Sequence, residues 1–178
     1  MIMSPSLRKF ALTAHVLASV GWLGAVASLL ALAIAGLANQ DAQIARAAYV
    51  AMEVLTWTVI VPLAFASLLS GLVQALGTPW GLFRHYWVLF KLTLTLLATI
   101  LLLVHTQPIH HVADAAVSTL LAVTDLRQTR IQLLVDAAAA LLVLLVTTTL
   151  SVYKPRGLTP YGWRKLRERP GEPQPELP

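Results

Sequence analysis

Arg84-His85-Tyr86-Trp87-Val88-Leu89-Phe90-Lys91, followed by the run 92–113 with no Asp, Glu, Lys or Arg, decides the fold. A cationic, aromatic edge suits the lipid–water boundary, where amphipathic rings anchor and arginine meets phosphate. At about 1.5 Å per residue, the uncharged run behind it is long enough to cross a hydrocarbon core of about 30 Å. Lys91 and His105 stand two heptads apart, so they lie on nearly one helical face, with Thr95 and Ala98 between them. The stretch reads as a transmembrane helix with an ionisable residue near each end.

The rest of the chain has the same character. Of its 178 residues 57% are hydrophobic and 12% charged, against about 25% charged in soluble domains. The formal charge of +5 comes from basic residues placed beside apolar runs. That placement points to membrane topology and away from nucleic acid, which needs basic residues interleaved with stacking aromatics. Without cysteine there is no disulfide, thiolate metal site, iron–sulfur cluster or thiol nucleophile. The length fits one compact bundle.

Three further spans flank the first. The run 10–37 is 28 residues without a charge, longer than the roughly 7–15 of a signal peptide, so it is expected to be a retained helix. Gly21 with Ala25, and Gly24 with Ser28, give it small-residue seams that let backbones approach in lipid and leave room for a homodimer or a membrane-complex partner. Asn39 and Asp41 are candidate caps in the loop that follows. The second span is longer than a bilayer needs. Pro62 is expected to kink it, and Ser67, Gly71 and Ala75 form another seam. After the third span the segment 106–128 reads as the largest loop. In it Pro108 opens a short helix whose face Ile109, Val112, Ala116 and Leu120 lies on the membrane surface. Asp125 with Gln128 resembles a capping box for the fourth span, which Lys154-Pro155 ends.

The expected architecture is all-α: a four-helix transmembrane bundle over residues 1–160, with spans at about 7–37, 44–76, 85–106 and 126–153. A basic, then Pro-rich tail follows over 161–178. Arg8, Lys9, Arg84, Lys91, Lys154, Arg156, Arg164, Lys165, Arg167 and Arg169 share one side, against Arg46, Arg127 and Arg130 on the other. The positive-inside rule therefore places both termini in the cytoplasm and the protein in a bacterial inner membrane, with the lipid bilayer as its partner.

Ionisable groups inside spans are costly, about 2.5–3.5 kcal/mol or more, so they face the bundle interior. Matching depths gives two groups. Toward the inside lie His15 and Lys91, with Gln74 near their level; they read as a ligand or proton site, or as a snorkelling lysine beside an interhelical hydrogen bond. Toward the outside lie Glu53, His105 and Asp136, two carboxylates and an imidazole. These three suit a divalent metal or a proton relay, or else an interhelical lock that fixes helix register. Their convergence is the sharpest expectation. His110, His111 and Asp114 are a secondary candidate set in the loop. A b-type haem would need two histidines at one depth on facing helices, and His15 and His105 are at opposite ends. Haem or quinone redox chemistry is thus the alternative to ion or proton handling. No phosphate-cradling loop, His-Glu-x-x-His or Gly-x-Ser-x-Gly is present, so the chain reads as non-enzymatic.

His15 followed by Trp22-Leu23-Gly24 resembles the first helix of the bacterial copper-resistance D-type membrane proteins and their small four-helix relatives. Thr78-Pro79-Trp80-Gly81 leading to Lys91 is similar to their turn-and-lysine approach to a later helix. The segment Tyr153-Lys154-Pro155-Arg156-Gly157-Leu158-Thr159, with Tyr161-Gly162, is similar to the tails of actinobacterial members of the smaller group. The resemblance implies an inner-membrane helical bundle linked to copper handling. The chain departs from the pattern in a longer Gly81-to-Lys91 spacing and in having only Met1, Met3 and Met52, with no Cys, as soft ligands for Cu(I).

Overall fold

The computed structural model describes residues 3–77, 82–118, 126–153 and 157–167. α1 (Pro5–Ala38) opens with Ser4, whose hydroxyl accepts the Leu7 N–H, and Pro5 starts the helix where no N–H is needed. It closes at Asn39, whose side chain accepts the Asp41 N–H; Asp41 in turn accepts the Gln43 N–H and caps α2 (Ala42–Leu55). Both expected caps are used, and they turn the chain in three residues, 39–41.

Pro62 acts through the turn before it. Its ring displaces the carbonyl four residues back and it brings no N–H. The helix answers with a π turn, Thr56–Ile60, in which the Val61 N–H reaches back five residues to the Thr56 carbonyl. α3 (Val61–Gly77) then continues the span. The inserted residue lets Tyr49 and Met52 before the turn, and Ala64 and Ser67 after it, all face the core.

α4 (Tyr86–Val117) and α5 (Arg127–Tyr153) complete four helices long and apolar enough to cross a membrane. The expected all-α bundle is what the chain forms, an integral membrane architecture. Large apolar side chains such as Phe10, Leu17, Val104 and Val152 point outward, where lipid is their solvent. The interior is built on small residues, among them Ala25, Ala33, Ala64, Ala113 and Ala137, because close backbone approach takes over where water supplies no driving force. The Gly21/Ala25 seam is used inside the chain: a Cβ on Gly21 would meet Leu63 at 3.2 Å, and Ala25 is buried. It is therefore not available to a second copy. Gly24 and Ser28 lie on the exposed side.

The largest departure from the sequence reading is the end of α4. The helix runs through Pro108 to Val117, where a loop from 106 was expected. Thr106, Ile109, Val112, Ala113 and Ala116 form a buried stripe at helical spacing. The face expected to lie on the membrane surface is packed in the bundle, against α2, and that burial outweighs the one backbone bond Pro108 removes. The expected cap Asp125, the turn residues 78–81, the terminator Lys154-Pro155, Leu120 and the tail from 168 lie outside the described residues.

A short arm follows α5. Gly157 and Leu158 run beside the start of α4: the Tyr86 N–H donates to the Gly157 carbonyl and His85 pairs with Leu158. α6 (Pro160–Arg167) follows. Met3 meets Gly77 through its backbone N–H, so α1, the end of α3, the start of α4 and α6 share one end of the bundle.

Candidate functional site

At that end four helices bring polar groups together. His15 on α1 sets Nδ1 3.1 Å from both the Ser67 carbonyl and the Ser70 hydroxyl of α3. A carbonyl only accepts, so Nδ1 carries the proton. The Ser70 hydroxyl already donates to the Ala66 carbonyl at 2.5 Å; its hydrogen is turned from the imidazole, and it is not an activated nucleophile. Nε2 of His15 is then the lone-pair nitrogen, and Lys91 of α4 approaches it at 3.4 Å. Lys91 also donates to the Ser151 hydroxyl of α5 at 2.6 Å. Ser19 pairs with Ser67 at 2.9 Å, and the Gln74 amide donates to the Ala11 carbonyl at 3.0 Å. His15 and Lys91 meet as depth matching expected, but Lys91 is turned inward to named acceptors.

Gly71 makes room for this. A Cβ there would lie 3.0 Å from His15 Cε1, so the residue read as part of a packing seam seats the imidazole.

At the opposite end α4 carries two histidine–carboxylate contacts. His105 donates Nδ1–H to the Leu101 carbonyl at 2.7 Å, and its Nε2 lies 2.9 Å from Asp136 Oδ2 of α5. With Nδ1 committed as a donor to a carbonyl, a neutral His105 would face the carboxylate with a bare lone pair. Close approach and alignment differ here: Oδ2 has no well-aligned hydrogen-bond donor among the described residues, so the pair is close in distance and loosely directed.

Glu53 does not join them. Its Oε1 meets His110 Nδ1 at 2.6 Å, and His110 Nε2 faces Asp114 at 3.3 Å. The expected trio is thus divided: α4 is tied to α5 by His105–Asp136 and to α2 by Glu53–His110. Among the described residues no three His, Cys, Asp or Glu side chains gather as a metal-holding group. His111 adds no contact to Glu53, though its ring lies 6.4 Å from that of His110.

Sequence reasoning missed two features. Ser151, read only as span, is the direct acceptor of Lys91; hydroxyl side chains in lipid are indistinguishable from packing residues until the facing helix is known. Arg130, read as a topology charge, donates Nε–H to Tyr49 at 2.8 Å, stacks on that ring at 5.2 Å, and reaches the Gly36 carbonyl. It satisfies a carbonyl near the end of α1 and so joins three helices.

The two ends are about 21 Å apart along α4 by helical rise. Thr95 and Thr99 continue the Lys91 face, each hydroxyl donating to the carbonyl four residues earlier. Leu144 of the core cluster and Leu102, partly buried against that cluster, lie between the polar ends. Both ring nitrogens of His15 face protein partners, and Trp22 is packed in the core. No family model, curated protein or solved structure matches the chain.

Proposed function

We propose that this multi-pass membrane protein handles protons, taking them up at His105–Asp136 and at His15–Lys91, and carries out no covalent chemistry. The observation that supports this best is the tautomer at His105: its Nδ1 bond to Leu101 turns Nε2 to Asp136. Intramembrane Asp–His and Lys–His contacts from different helices are the materials of proton relays. Leu102 and Leu144 keep the two ends apart, so transfer between them requires a rearrangement that admits water. In this reading both termini are cytoplasmic and the host is a bacterial inner membrane. Kinship with the copper-resistance D-type proteins is part of the proposal, for the fold more than for the metal, since soft ligands are few.

The test is reconstitution into vesicles loaded with a pH-sensitive dye. An external acid jump should acidify the lumen faster than in empty vesicles. Asp136→Asn and Lys91→Met should each return the rate to that of empty vesicles while the protein stays folded. Wild-type protein with the rate of empty vesicles would overturn the proposal.

A further inference from the structure

The arm that follows α5 is held too specifically to be a loose tail. Thr159 donates its backbone N–H to the Arg84 carbonyl at 3.0 Å and its hydroxyl to the Phe83 carbonyl at 2.5 Å. The same hydroxyl accepts the Gly162 N–H at 3.1 Å, so Thr159 both caps α6 and pins it to the turn before α4. Gly162 sits directly on that turn: a Cβ would lie 2.4 Å from the Arg84 carbonyl oxygen. α6 is thereby fixed at the level where α4 leaves the membrane, beside exposed Tyr86 and Phe83.

The face turned away from the bundle is cationic. Arg164, Lys165 and Arg167 occupy the last turn of α6 and are exposed, and the Arg164 guanidinium lies over the Tyr161 ring at 5.6 Å. Among the described residues this end also carries Arg8, Lys9 and Arg84, and no Asp or Glu. All four described acids, Asp41, Glu53, Asp114 and Asp136, belong to the other end. Glu168, Glu172 and Glu176 follow in the sequence, outside the described residues. A basic helix with aromatic neighbours, locked at the depth of the headgroups, has one chemical complement there: the phosphate of an anionic lipid.

We infer that α6 and the turn before α4 form a binding collar for anionic phospholipid headgroups of the surrounding membrane. The collar uses exposed arginines for phosphate and Tyr161 and Tyr86 for the interface, and the Thr159 clasp fixes their arrangement. It is independent of the proton reading, since none of its residues belongs to the two polar clusters.

The experiment is thermal unfolding of the full chain in nanodiscs of phosphatidylglycerol or phosphatidylcholine. Wild type should melt at least about 3 °C higher in the anionic lipid, and the shift should shrink with added salt. Arg164→Gln with Arg167→Gln should melt alike in both lipids. Gly162→Ala keeps every charge but unseats the helix, and should lose most of the shift. Equal melting of wild type in the two lipids, or a full shift retained by the double variant or by Gly162→Ala, would overturn the inference. A comparable rise on adding inorganic phosphate in phosphatidylcholine would also overturn it, pointing to a free anion instead of a lipid.

Discussion

At the scale of single residues, hydrogen-bond direction carries more than proximity. A carbonyl beside one imidazole nitrogen fixes what the other can do, and it does so at both His15 and His105. For His105–Asp136 the consequence is a contact that joins α4 to α5, so Asp136→Asn, which removes the carboxylate, should lower the melting temperature in micelles while leaving the bundle folded. Gly71→Ala should push the His15 ring from its seat and cost about 1–3 kcal/mol in denaturant unfolding in micelles. Arg130→Ala strands the Tyr49 hydroxyl and the Gly36 carbonyl together. A loss of about 1–3 kcal/mol is expected by the same measurement.

At the scale of elements, the π turn is one inserted residue that keeps two faces of the second span in phase. Deleting exposed Thr58 should let Thr56–Ile60 revert to ordinary helix with Tyr49 and Ser67 still facing inward. Deleting Leu69, equally on the outside, would rotate Ser70, Gly71 and Gln74 by about 100° from His15 and Ala11. The first variant should elute as a folded species and the second should aggregate, which size-exclusion chromatography will resolve. The same scale explains what the sequence made legible. Run lengths and charge edges disclose four spans because lipid thickness is a fixed ruler, and depth alone places His15 with Lys91 and His105 near Asp136. The partner of Glu53 was not legible. Pro108 and a drop in hydropathy argue locally for a loop, whereas the stripe from Thr106 to Ala116 is held helical by burial against the bundle. Only that continuation turns His110 toward Glu53. Ser151 stayed hidden for a related reason, since which hydroxyl meets Lys91 depends on the rotation of α5, and an all-round apolar helix does not announce its rotation.

For the whole molecule, charge is unevenly shared among the described residues: the end with α6 carries cations and no acid, while the four acids share the other end with Arg46, Arg127 and Arg130. If the cationic end is cytoplasmic, Gln128→Cys should react with an impermeant maleimide on intact cells, and Lys165→Cys only after permeabilisation. The chain has no cysteine of its own, so background labelling is absent. In that orientation the histidine–carboxylate pair faces the outer side and the histidine–lysine pair the inner. The proposed function rests most directly on His105 holding its proton on Nδ1 and turning Nε2 to Asp136. Nitrogen-15 NMR of ring-labelled histidine, with His105 assigned by its loss in His105→Asn, reads this directly. Nδ1 should be protonated, as its contact with the Leu101 carbonyl requires, and Asp136→Asn should shift the Nε2 resonance. A His105 with bare Nδ1, or one whose Nε2 signal ignores the Asp136 substitution, would contradict it.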